Sequence, residues 1–426
     1  MREDGVVPTA IDRDDSTTQR TLTTGLLTLM AIATGVSVGG NYLAQPLVVS
    51  IGRSFGVEGA AAGVIVTVAQ VSYALGLLFI VPLGHILEKR RLIVTLLIVT
   101  AVGQALCGLA WSFPVMIAGT AIAGLFSVAA QVLVPFSAEL AREGRAGSAV
   151  GVVMSGLLLG TLLARTISGV VSTLFGWHVV FEGAAVAMAI CAVALAFRLP
   201  ASPPLVRTSY TRTLGSVFGL FRTIPRLRTR AAIGAVGFGA ASAIFATMTL
   251  LLAGPPFGLN DAAIGLIGLF AVAGAMAAQV SGKLTDRGRT GTVLLLALAA
   301  AVLGAFALWL GGTNLIAFMA GMLFYDFALQ ATQVNNQATL YSLRPSARPL
   351  LTSAYMTSYF IGGTLGSSGA LLIWPQWGWN GVVVLVAVLI LAGLTLGIVD
   401  GRLARRERRS TVTDPCQDGR ASSVRA

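Results

Sequence analysis

Charge is scarce in this chain. Asp, Glu, Lys and Arg make up 11% of its 426 residues, against about 25% in a soluble globular chain. Histidine occurs only as His85 and His178, so no run of closely spaced ligands is present to hold zinc. Cysteine occurs three times, at Cys107, Cys191 and Cys416. Two of these lie inside apolar runs, which excludes a disulfide framework and a thiolate metal site. No phosphate loop and no Ser/His/Asp constellation stands out. An enzyme is therefore not expected, and neither a metal nor a cofactor is called for. The first twenty residues mix Asp and Arg without an apolar core, which is not the pattern of a signal peptide.

Apolar residues are what the chain has in abundance. They fill 55% of positions, and the mean hydropathy is +0.83. They gather in runs such as Leu92–Ala110, Val179–Ala196 and Val382–Ile398. Each is close to the ~20 residues that carry a helix across a bilayer core. The spans are expected at 22–50, 59–87, 91–111, 114–141, 148–173, 178–198, 231–254, 262–284, 291–310, 313–340, 350–373 and 380–400.

The net charge of +12 would suit a nucleic-acid partner in a soluble protein, but its placement argues otherwise. Cations fall in alternate loops: Lys89 to Arg91, Arg142 and Arg145, Arg198 to Arg230, Lys283 to Arg289, Arg344 and Arg348, and Arg402 to Arg409. The other loops hold little besides Arg53. This is the positive-inside asymmetry. It predicts an even number of spans, both termini in the cytoplasm, a lipid bilayer as surroundings and no nucleic acid. All six tryptophans, Trp111, Trp177, Trp309, Trp374, Trp377 and Trp379, fall at span ends assigned to the outer face, where indole rings prefer the headgroup level.

The expected organisation is an N-terminal tail (1–21), a first six-helix bundle (22–198), a cytoplasmic linker (199–230), a second six-helix bundle (231–400) and a C-terminal tail (401–426). The linker's arginines read as topology signals and lipid contacts. The two bundles resemble each other. Leu83-Gly84-His85 after span two matches Leu284-Thr285-Asp286 after span eight, and Met154 with Gly160 matches Met356 with Gly362 at nearly the same offset. Duplicated bundles of this kind occur in transporters, with the site near the bilayer midplane between them.

The segment Gly282-Lys283-Leu284-Thr285-Asp286-Arg287-Gly288-Arg289 closely resembles the loop motif of the major facilitator superfamily. Its first-half copy, Val81 to Arg91, has Val81 and His85 where the family has Gly and Asp. The resemblance implies an all-α membrane protein of twelve transmembrane helices in two pseudo-symmetric six-helix bundles. It looks closest to the drug:proton antiporter and sugar or metabolite efflux branch. Two departures stand against that branch: Thr120 lies where an Arg is often found, and Thr161 where a Pro is expected. The resemblance assigns gating to His85, Arg90, Arg91, Asp286, Arg287 and Arg289. A carboxylate beside cations at a helix end can make contacts in one state and lose them in another. The bland alternative is a solvated loop that only fixes topology.

Charges inside apolar runs are costly and mark pathways. Arg165 in span five and Asp326 in span ten are such charges, and are expected to couple protons to transport. Asp326, Gln330, Gln333 and Gln337 share one helical face, as do Thr34, Ser37, Asn41 and Gln45 in span one. With Gln70, Tyr73 and Gln131 these are candidates for a substrate cavity, or else for helix–helix hydrogen bonds within each half. The expected function is proton-coupled efflux of small amphipathic molecules by a monomer in the cell inner membrane. Metabolite or sugar uptake or exchange is the alternative within transport. A non-transporting receptor or scaffold is the alternative outside it.

Overall fold

Backbone N–H and C=O groups find no water in hydrocarbon, and a helix satisfies them within its own segment. In the computed structural model, residues 22–57, 59–142, 145–202, 210–268, 284, 290–343 and 348–412 are described. Every regular element among them is helical.

The first span is broken. α1 (Thr24–Gly39) gives way to turns over residues 40–44, a single 3-10 turn at Gln45–Leu47, and then α2 (Val48–Ser54). Gly39 and Gly40 favour helix weakly and Pro46 lacks an N–H, which accounts for the break. The polar stripe expected along one continuous helix is therefore interrupted. Thr34 and Ser37 are helical, Asn41 lies in the turn, and Gln45 starts the 3-10 segment.

Spans two and three are α3 (Ala60–Phe79) and α4 (Lys89–Gly108), joined through a 3-10 turn at Val81–His85. Span four is split into α5 (Phe113–Phe126) and α6 (Ala129–Leu140). α7 (Ala146–Phe175) and α8 (Trp177–Arg198) close the first half. α9 (Tyr210–Thr223) lies in the linker, and α10 (Pro225–Ala253) opens the second half. α11 (Asp261–Ile267) begins span eight, most of which falls outside the described residues. α12 (Thr290–Leu310), α13 (Leu315–Leu343) and α14 (Arg348–Val412) complete the chain. α14 is two helices joined at Gly378, whose φ of 54° suits glycine, just after Pro375.

Nine helical runs among the described residues are long and apolar enough to cross a bilayer, counting α5 with α6 as one and the joined pair in α14 as one. With the broken first span and span eight, twelve crossings are consistent with the structure. Large apolar side chains such as Ile98, Ile167, Val193, Leu303 and Leu391 lie exposed along these helices, as a lipid-facing surface requires. Two boundaries differ from the sequence expectation. α10 begins at Pro225, so Arg226 and Arg230 lie on the helix that carries span seven, and α14 runs past Asp400 to Val412.

Small residues let the helices approach closely. A Cβ at Gly156 would collide with the Ala31 carbonyl, and one at Gly160 with that of Gly35. In the second half, a Cβ at Gly362 would collide with the Ala235 carbonyl, and one at Gly366 with that of Gly239. The packing thus pairs α7 on α1 with α14 on α10, and makes Gly366 the counterpart of Gly160. The sequence match had paired Gly160 with Gly362. The register is set by the backbone crossing, and one turn of helix is invisible in a glycine pattern. The contact of α4 with α5 repeats in the same way: Gly103 and Gly119 pack as Gly304 and Gly321 do between α12 and α13.

Candidate functional site

The two ends of the bundle differ chemically. One carries Lys89, Arg230 and Asp400, and is called here the basic end. The other carries the tryptophans. At the tryptophan end the halves are tied together. Asp261, the first residue of α11, accepts hydrogen bonds through Oδ2 from Ser50 at 2.6 Å and from Ser172 at 2.8 Å. Thr173 accepts from the Ala262 backbone N–H at 3.0 Å, and Thr166 donates to the Gly265 carbonyl at 3.1 Å. Thr249 on α10 donates to the Gln45 carbonyl at 2.7 Å. Along α3 and α14, Thr67 meets Ser367 at 3.0 Å, and the rings of Tyr73 and Phe360 lie 4.5 Å apart.

Beneath this seal lies Arg165, 4% exposed. α7 reaches α11 closely here because Gly265 and Gly268 leave room for the Arg165 backbone and side chain. The Arg165 Nε donates to Gln45 Oε1 at 2.7 Å. Its guanidinium carbon sits 4.9 Å from the Tyr42 ring centroid and 4.1 Å from that of Phe245. A hydrogen bond to a charged group contributes about 1.5–3 kcal/mol, and each cation–π contact about 0.5–2 kcal/mol. These contacts offset part of the cost of burying the cation. Asp326 is 8% exposed and lies within electrostatic reach of Arg165, Tyr42, Tyr325 and Tyr359. Tyr325 fixes α13 on α10 through a 2.8 Å bond to the Gly237 carbonyl. An aromatic wall adjoins: Phe238 stacks on Tyr359 at 4.1 Å and meets Phe360 at 5.0 Å.

The structure thus brings Arg165, Asp326 and Gln45 into one interior region. Tyr73 and Gln131 share a 3.4 Å hydrogen bond beside the Phe360 ring, and Gln70 packs against Gly363 across the halves. Asn41 turns instead to Ser127 within the first half, at 2.5 Å. Gln333 and Gln337 face Met356 on α14, at 4.0 and 3.8 Å, and Tyr359 donates to Gln333 at 3.4 Å. Gln330 is half-buried on the same helix.

Of the gating residues, Arg90 is half-buried and Arg91 is exposed, pairing with Glu88 at 2.8 Å. His85 ends the 3-10 turn, and its side chain lies outside the described residues. Asp286, Arg287 and Arg289 also lie outside them. At this end Lys89, which the sequence reading passed over as a site residue, is buried against Glu139 and over the Phe136 ring. In the second half Arg230 binds Asp400 through Nε at 2.8 Å and through Nη2 at 2.6 Å. It also reaches Asn336 at 3.1 Å.

Three groups important to the site carried no sequence signal as site residues: Tyr42, Phe245 and Asp261. Tyr42 lies off the polar stripe, and the turn that brings it to Arg165 is not visible in the sequence. Phe245 is one apolar residue among many. Asp261 reads as an ordinary helix-start acid after Asn260.

Comparison with known proteins agrees with this architecture. The family model described as Major Facilitator Superfamily matches residues 30–367. The uncharacterized transporter YgaY of Escherichia coli O157:H7 is 44% identical over 379 residues, covering 89% of this chain and 94% of that protein. A Streptomyces coelicolor protein named "Probable transporter SCO4007" is 35% identical over 371 residues, covering 87% and 86%. A bacterial homologue of the human lysosomal transporter Spinster, solved inward-facing and unoccupied, shares the fold. Its TM-score is 0.73 at 14% identity, over 88% of this chain and 96% of that one. The chain belongs to the major facilitator superfamily. It is a membrane transporter rather than an enzyme, with the family's fold.

Proposed function

We propose that the chain moves small amphipathic molecules across the inner membrane by alternating access of its two halves, with protons coupled at Asp326. The observation that carries this reading is the pair of opposite intramembrane charges, Arg165 and Asp326, buried within electrostatic reach of each other. Around them stand amides and aromatic rings from both halves. A carboxylate in such a place exchanges protons with the two sides in turn, and each entering proton gains about 2.3 kcal/mol per 100 mV. The cation placement favours a cytoplasmic basic end. One chain supplies both halves of the site, which favours a monomer.

Export against an entering proton is the direction that the family resemblance implies. Uptake is the second reading. It is favoured by Arg165, because a buried cation beside Asp326 lets an anion and a proton occupy the cavity together.

The test is flux in proteoliposomes under an imposed pH gradient of either sign, with a panel of labelled drugs and metabolites. Gradient-driven flux is expected in the natural protein and lost in Asp326→Asn, which folds and binds as before. Full gradient-driven flux in that variant would overturn the assignment.

A further inference from the structure

A guanidinium has five N–H donors in a fixed fork. In Arg165 the Nε–H is spent on Gln45, and the rings of Tyr42 and Phe245 cover the group. The remaining edge, formed by Nη1 and Nη2, makes no hydrogen bond and no ion pair among the described residues. A side chain 4% exposed is thus held by three neighbours while the four N–H donors of its Nη edge have no hydrogen-bond acceptor among the described residues. That edge matches the two oxygens of a carboxylate.

We infer that the Nη edge of Arg165 binds the carboxylate of an aryl or similarly flat organic acid, whose apolar body lies along Tyr42, Phe245, Phe238 and Tyr359. This rests on the reading that the Arg165 region is the transport site, and it adds the class of cargo. A single fork suits a monocarboxylate. A doubly charged phosphate ester would need further cations, and Asp326 opposes it. Among the described residues, Tyr42, Tyr325, Tyr359 and Arg165 lie within electrostatic reach of Asp326, and Tyr42 and Asp326 within that of Arg165. A carboxylate placed among them meets the negative charge of Asp326. A proton on Asp326 removes that repulsion, so acid and proton bind together, as the second, uptake reading has it.

The experiment measures binding, not flux, on the purified full-length chain. Melting temperature is followed with benzoate and 4-phenylbutyrate, with their neutral amides, and with 4-phenylbutylamine. A ligand that binds only the folded state raises the melting temperature with its concentration. The acids are expected to raise it and the amides and amine to leave it unchanged. Arg165→Gln should abolish the response, Arg165→Lys should weaken apparent affinity at least tenfold, and Asp326→Asn should keep it. The inference is overturned if no acid shifts the melt, if amides or amine match the acids, or if Arg165→Gln responds fully. Should Arg165→Gln not fold, the acid–amide comparison on the natural protein decides alone. Loss of gradient-driven flux bears on the transport reading and is scored separately, so the two can fail independently.

Discussion

Asp400 shows how much one side chain holds together at the basic end. It accepts from Thr229 at 2.7 Å through Oδ1, and binds Arg230 and Arg226 through Oδ2. With Asn336 on Arg230, and Tyr355 on Asn336 at 3.4 Å, the network joins α10, α13 and both arms of α14. Removing one partner of a buried pair leaves an uncompensated charge and costs about 3–5 kcal/mol. Asp400→Asn should therefore lower the thermal unfolding midpoint in detergent markedly. The paired replacement Arg230→Met with Asp400→Leu should recover most of the loss. A melt in which the double variant is as unstable as the single one would remove the ion pair as the cause. The network was illegible in sequence because its members lie far apart along the chain, and Arg230 looked like one more cation in a basic linker. Arg165 and Asp326 were legible, because a charge inside an apolar run stands out whatever surrounds it. What holds Arg165 was legible only in part. Gln45 was on the candidate list, while the covering rings were hidden among apolar neighbours.

Helices here are placed by the residues that let backbones touch. Gly160 meets the Gly35 carbonyl and Gly366 that of Gly239, whereas a Cβ at Gly151 on the same α7 would meet nothing within 4 Å. Gly160→Ala and Gly366→Ala should each push two helices apart and lose about 1–3 kcal/mol. Gly151→Ala should be neutral or gain up to about 1 kcal/mol from helix propensity. Size-exclusion melts of the three variants in parallel check this, and equal behaviour of all three would contradict the packing. At this scale the sequence showed that glycines matter and that the halves repeat. It did not show the register, since pairing Gly160 with Gly362 or Gly366 gives equally plausible strings. It also missed the break in span one, because a polar stripe from Thr34 to Gln45 fits an unbroken helix as well as the turn that Gly39, Gly40 and Pro46 impose.

Across the whole molecule, cations and tryptophans predicted an even number of spans with both termini on one side, and the all-helical fold agrees with the two-bundle expectation. The reason given for the tryptophans holds less evenly. Trp111, Trp309 and Trp377 are exposed as a headgroup belt requires, but Trp177 and Trp379 are buried, and donate to Ser54 at 2.9 Å and the Leu308 carbonyl at 2.8 Å. The halves meet along α3 and α14, where Thr67 and Ser367 are 3.0 Å apart. Alternating access requires the halves to move against each other. A disulfide between Thr67→Cys and Ser367→Cys, in a background with Cys416 replaced by Ser, should therefore reduce flux to background. Reductant should restore it. Cys107 and Cys191 are buried and can stay. Undiminished flux in the fully cross-linked protein would show that this seam does not move.

Gln45 belongs to two contacts at once. Its side chain steadies Arg165, and its carbonyl receives Thr249 from the opposite half. A cargo that draws the guanidinium towards itself pulls on the same residue that helps close the tryptophan end. Under the proposed mode of cargo binding, occupancy and closure share one joint, Gln45. A compound that lies along the aromatic wall while leaving the Gln45–Arg165 bond in place would occupy the protein without releasing it. Such a compound is expected to act as a blocker, and the difference between blocker and cargo would lie in how hard it tugs rather than in how tightly it fits.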